Sequence, residues 1–103
     1  MSTISGNIND NECNIPISDK GIVIYYSDRC IYCIKAKSML KNIGIDYKSI
    51  DIVGNRDLQI DLYYKTRQST IPYVFIDGKF IGGYTDLKML KDDGHLDRFK
   101  RNN

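Results

Sequence analysis

Residues 21–33 read Gly21-Ile22-Val23-Ile24-Tyr25-Tyr26-Ser27-Asp28-Arg29-Cys30-Ile31-Tyr32-Cys33. The first half is a β-branched and aromatic run, the composition of a buried central strand. Ser27-Asp28-Arg29 is a short loop, and a helical pattern begins at Cys30. Two residues separate the cysteines, about one helical turn, so both sulfurs share one face at the helix start. There the first sulfur meets free backbone N–H groups and the positive end of the helix dipole. Both favour thiolate, the nucleophilic form. A Cys-x-x-Cys at a strand-to-helix junction in a small α/β chain reads as a redox pair.

Outward from this stretch the chain alternates between strand and helix patterns. The helix is expected from Cys30 to Ile43, with Ile34, Ala36, Met39, Leu40 and Ile43 as the apolar stripe. Lys35, Lys37, Ser38 and Lys41 form its solvated face, and Gly44 stops it. Ile45 to Ile52 alternates as a second strand, and the short links imply a right-handed, parallel βαβ unit. Asn55 caps the next helix with Asp57 in its first turn. Leu58 and Leu62, with Tyr63 as a third candidate, face the core. Tyr73-Val74-Phe75-Ile76 is a third strand, Asp77-Gly78 a hairpin turn and Lys79-Phe80-Ile81 a short antiparallel fourth strand. Gly82-Gly83 breaks it, and Thr85 caps a last helix carrying Leu87 and Leu90, closed by Gly94. Leu96 and Phe99 add one more helical turn. The fold class is therefore α/β. The architecture is a four-stranded mixed sheet in the order βαβ, helix, β-hairpin, helix, with helices on both faces, as in the thioredoxin fold.

The chain has 103 residues, enough for one small domain with one core. Residues 1–19, rich in Asn, Ser and Gly, read as a flexible N-terminal tail, and residues 20–103 as the domain. Cys13 lies in that tail, where nothing activates it. A net charge of +2 points to neither a nucleic-acid nor a membrane surface. No apolar stretch approaches the ~20 residues of a membrane span, and the first residues lack the order of a signal peptide. The expectation is a cytoplasmic monomer without nucleic-acid or membrane partners. Three cysteines in such a chain argue against a structural disulfide framework. Nor do they suit zinc, which needs four ligands; beyond the pair only Cys13 and His95 remain, so no metal ligands are assigned. His95 reads as a surface helix residue.

Three segments carry the remaining signal: Cys30-Ile31-Tyr32-Cys33, Thr70-Ile71-Pro72, and Gly82-Gly83-Tyr84-Thr85-Asp86. In this order they closely resemble the glutaredoxin family, which carries Cys-Pro-Tyr-Cys, Thr-Val-Pro and Gly-Gly-x-x-Asp. The resemblance runs over about residues 21–95. It implies a glutathione-dependent thiol–disulfide oxidoreductase acting on glutathionylated or disulfide-bonded proteins, with glutathione as co-substrate. It implies that Cys30 is the nucleophile, Cys33 the resolving thiol, and Tyr32 a flank of the bound peptide. Pro72 would be cis, presenting the main chain of Ile71, next to Thr70, to the cysteinyl part of glutathione. Thr85 and Asp86, after Gly83, would hold the γ-glutamyl end, and Gln59 would reach the glycyl carboxylate. Two departures stand out. Ser27 replaces a usual lysine, with Arg29, Lys65 and Arg67 as nearby cations. Ile31 replaces the usual proline, and some members without that proline hold a [2Fe–2S] cluster between two subunits. Two alternatives follow: a cluster-binding dimer, and a thioredoxin-like reductase that does not use glutathione.

Overall fold

The structure is a computed structural model, and it describes residues 20–100. The tail assignment and Cys13 lie outside the described residues. Strand β1 spans Ile22–Tyr26, helix α1 Ile31–Asn42, β2 Tyr47–Asp51, α2 Arg56–Thr66, β3 Tyr73–Ile76, β4 Lys79–Gly82 and α3 Tyr84–Asp92. A 3-10 turn, Asp97–Phe99, closes the described chain and supplies the expected last helical turn.

The sheet order is β2-β1-β3-β4, with β1 parallel to β2 and antiparallel to β3. Ile22, Val23, Ile24 and Tyr25 are buried in succession, because β1 has a helix layer on each face. Ile22 and Ile24 join Ala36, Leu40, Ile45, Val74, Leu87 and Leu96 on the face covered by α1 and α3. Val23 and Tyr25 join Ile52, Leu58, Leu62, Tyr73 and Phe75 on the face covered by α2. Full burial of each large side chain contributes about 1.5–3 kcal/mol.

Local chemistry sets the element ends. The Asn55 side chain accepts the Leu58 N–H at 3.1 Å, as expected of a cap. Asp77 and Gly78 both have positive φ, 50° and 85°, so the β3–β4 link is the tight two-residue turn their sequence predicted. Asp77 also accepts the Gly21 N–H at 2.7 Å, which ties the entry to β1 to this hairpin.

Four expectations need correction. Ile34 is exposed, and Cys33 takes its place in the buried stripe with Ala36 and Leu40. The helix presents positions 33, 36 and 40 inward, and the apolar type of residue 34 does not change that spacing. Strand β2 is shorter than read: Ile45 makes only an isolated bridge to Lys100. Tyr63 is exposed, not core. His95 is exposed, but in the turn after α3, not in a helix.

The corrected α1 stripe predicts a contrast. Leu40→Ala should cost about 2–5 kcal/mol by leaving a cavity between helix and sheet. Ile34→Ala should change stability by less than about 0.5 kcal/mol. Urea denaturation of the two variants measures both.

Candidate functional site

The register of the sheet assembles the site. Tyr25, near the end of β1, pairs with Tyr73 at the start of β3, so the loop before α1 meets the residues before β3. Val74 pairs with Gly82, so the end of β4 and the start of α3 reach the same edge. Three segments far apart in sequence thus converge at one end of the sheet.

Cys30 is the N-cap of α1, and its Sγ accepts the Cys33 N–H at 3.2 Å. A sulfur thus fills the role an oxygen usually takes at a helix start, in contact with an otherwise orphan donor. The same Sγ approaches the Ile71 carbonyl at 3.5 Å, as donor when protonated. Cys33, one turn on, is fully buried. Burial, followed by its contact with Cys30, pushes its thiol up to about 12. The two sulfurs are therefore inequivalent: Cys30 is half-buried and reachable, and Cys33 is shielded and protonated at neutral pH.

The Ile71–Pro72 peptide is cis, as expected. Its surroundings hold it from below. Gln68 Nε2 donates to the carbonyls of Thr70 at 2.7 Å and Pro72 at 3.0 Å. The Tyr73 hydroxyl donates to the Gln68 carbonyl at 2.6 Å, and burial raises the phenol above its ordinary pKa. Gln68 went unread because nothing in its local sequence marks a side chain that folds back on two carbonyls.

At the third segment the cap is Gly83, not Thr85. The Asp86 carboxylate reaches back to the Gly83 N–H at 3.1 Å and so starts the helix two residues earlier than expected. Gly82 has φ +125°, and a Cβ there would fall onto the Asp86 Oδ2. Only glycine gives both that backbone and that close approach. Thr85 lies in the first turn, where its backbone N–H has no partner within the helix.

Two hollows flank the Cys30–Ile71 contact, and they share Tyr32, Thr70 and Ile71 as their divide. The smaller, about 330 Å³, also has Pro72, Gly83, Thr85 and Asp86 on its wall. The larger, about 720 Å³, runs towards Gln59, Tyr63 and Val53. Every non-cysteine residue proposed from sequence thus lies on one of these two walls. Gln59 Nε2 donates to the Ile52 carbonyl at 2.7 Å. Tyr84, which packs on Tyr32 with centroids 5.8 Å apart, and Tyr63 are wall residues that sequence reading did not assign to the site. Their type is common in cores, so only their position marks them.

Comparison with known proteins places the arrangement among relatives. The glutaredoxin family model matches residues 22–81. The mitochondrial glutaredoxin-2 of Homo sapiens is 36% identical over 90 residues, which cover 84% of this chain and 54% of that protein. The chain thus spans about half the length of the mitochondrial relatives it matches. The glutaredoxin of Pseudomonas aeruginosa is 37% identical over 76 residues, 74% of this chain and 90% of that one. Among solved structures, a buckwheat glutaredoxin–glutathione complex aligns with a TM-score of 0.73 at 30% identity, covering 81% of this chain and 78% of that one. The thioredoxin-fold reading made from the element order agrees with these structures.

The unequal burial of the two sulfurs predicts a selective alkylation. Iodoacetamide at neutral pH should label Cys30 and spare Cys33 in the folded protein, and peptide mass spectrometry reports both. The raised Cys33 pKa also carries a sign. The folded state holds that proton more tightly than the unfolded chain does, so its contribution is complete below about 9 and fades as pH rises towards about 12. Cys33→Ala should flatten that part of the stability profile between the two values, measured by denaturation at stepped pH.

Proposed function

We propose a function for this chain from the premise that it belongs to the glutaredoxin family: a thiol–disulfide oxidoreductase that draws its electrons from glutathione. The observation that most supports this is the pairing of a reachable, helix-capping Cys30 with a buried, protonated Cys33, beside a main-chain edge and an acidic groove.

The steps follow from thiol exchange. The Cys30 thiolate attacks the glutathione sulfur of a protein–glutathione mixed disulfide. The Cys30–glutathione S–S bond forms as the old one breaks, and the protein thiolate leaves and takes up a proton. A second glutathione, as thiolate, attacks the adduct and releases oxidised glutathione, returning Cys30 as thiolate. For disulfides within a protein, the Cys30 thiolate attacks one substrate sulfur and the other leaves as a thiolate. Cys33 then gives up its proton and attacks the Cys30 sulfur, and the second substrate sulfur leaves as a thiolate. The two thiolates take up protons, and a Cys30–Cys33 disulfide remains. The position of Cys33 one turn away supplies a high effective concentration.

The two hollows suit a γ-glutamyl-cysteinyl chain. Its cysteine would lie along Ile71, next to Cys30 Sγ. Its γ-glutamyl end would lie in the smaller hollow, with the ammonium on Asp86 and the carboxylate on the free N–H groups at the start of α3. We place the reaction in the cytoplasm, where glutathione is kept largely reduced. In the alternative dimer, Cys30 and one glutathione from each chain would supply the four thiolates of a [2Fe–2S] cluster, and nothing in the geometry of the described residues favours that over disulfide exchange.

Two variants test the mechanism. Cys33→Ser should keep most removal of glutathione from a protein and lose most reduction of protein disulfides, and Cys30→Ser should lose both. Equal loss of the first activity in the two variants would instead support the thioredoxin-like alternative. Asp86→Ala should raise the apparent KM for glutathione about tenfold, the loss expected for a charge-assisted hydrogen bond of ~1.5 kcal/mol. Steady-state kinetics with a coupled glutathione reductase measures it, and an unchanged KM would place the γ-glutamyl end elsewhere.

A further inference from the structure

The two hollows differ in electrical character. The smaller has a carboxylate on its wall, Asp86. The larger is lined by Ser27, Ile52, Val53, Gln59, Tyr63 and Tyr73, together with Gly54, Ser69 and the shared divide. None of these described wall side chains carries a formal charge. A negative charge is hydrogen-bonded to this wall: Asp51 Oδ1 accepts the Val53 N–H at 2.9 Å. The cations that sequence placed nearby are elsewhere. Arg67 lies 5.7 Å over the Tyr64 ring, Lys65 and Arg29 are exposed, and none is on the wall. Lys35 reaches the ring of Tyr32, which both hollows share. The polar groups present are partly engaged: Gln59 Nε2 donates to Ile52, and the Tyr73 hydroxyl to Gln68. The hollow is also roomy at about 720 Å³.

We infer that this chain recognises its thiol by the γ-glutamyl-cysteinyl part and reads the end beyond the cysteine without charge. The co-substrate class is then γ-glutamylcysteinyl thiols in general: those ending at the cysteine, those with a neutral end, and those with a residue larger than glycine. The inference rests on the glutathione reading above. The physical ground is an imbalance of partners. An ammonium entering the smaller hollow meets a fixed carboxylate. A carboxylate entering the larger one meets hydroxyls, the Gln59 side-chain amide and apolar walls, and neutral partners of this kind serve a neutral amide equally well.

Four thiols separate the possibilities: glutathione, its C-terminal amide, γ-glutamylcysteine, and desamino-glutathione, which lacks the γ-glutamyl ammonium. Each is tested for the rate at which it releases a mixed disulfide from Cys30 of the full chain, followed by mass spectrometry. The first three should agree within about twofold, and the desamino thiol should fall about tenfold, the worth of one charge-assisted contact. A drop of more than about fivefold for the amide and γ-glutamylcysteine, with glutathione active, would overturn the inference and leave the glutathione reading intact. Equal inactivity of all four would overturn that reading, and this inference with it. Ser27→Lys places a cation on the wall and should create a preference for glutathione over its amide of about fivefold. An unchanged ratio in that variant would show that the thiol's carboxyl end does not enter this hollow.

Discussion

Strand β1 has a hydrogen-bonded neighbour on each edge and a helix layer on each face. Its four consecutive buried residues leave it one register, because a slip of one position would exchange its two faces. Everything at the site inherits its position from that constraint. The end of β1 fixes where residues 27–30 leave the sheet, and the antiparallel pairing with β3 brings residues 70–72 to meet them. The β3–β4 hairpin then returns the chain to the same edge at Gly82. A strand buried on both sides is thus the frame that converts three distant segments into one cleft.

On that frame, one helix makes two like residues behave differently. Cys30 stands at the cap, where its sulfur takes a backbone donor that would otherwise have no partner. Cys33 stands one turn into the helix, on the stripe that packs into the core, and desolvation holds its proton. Nothing in the chemistry of cysteine separates them. Helical periodicity does, because it turns position 33 inward while position 30 is still outside the helix. The attacking and resolving roles in the proposed reaction follow from that difference in burial.

The support beneath the cleft is polar and local. Gln68 holds two carbonyls around the cis peptide, and Tyr73 holds Gln68. Across the cleft, Asp86 is fixed against the Gly83 N–H over a glycine that leaves it room. These contacts keep the walls in place before any ligand arrives, so little ordering remains to be done on binding. They also make the cleft asymmetric, with a carboxylate at one end and neutral walls at the other.

Sequence by itself determined the element order, the parallel and antiparallel pairings and the hairpin turn, because each rests on local patterns: period, caps and turn residues within a few positions. It also determined the cysteine pair, and the resemblance to the family pointed to the other two segments of the cleft. The tertiary structure decided what local pattern does not encode. Ile34 looked like core, but only packing tells which side of a helix meets the sheet. Thr85 looked like a cap, but a carboxylate one residue later reached back to Gly83 and moved the helix start. Gln68, Tyr63 and Tyr84 looked ordinary, and they became site residues because the sheet register carried them to the cleft. The charge of each hollow was likewise invisible along the chain: Arg29, Lys65 and Arg67 are near the site in sequence, and none of them is on the wall they seemed placed to serve. Such facts depend on contacts between residues far apart in sequence, and those exist only once the fold has formed.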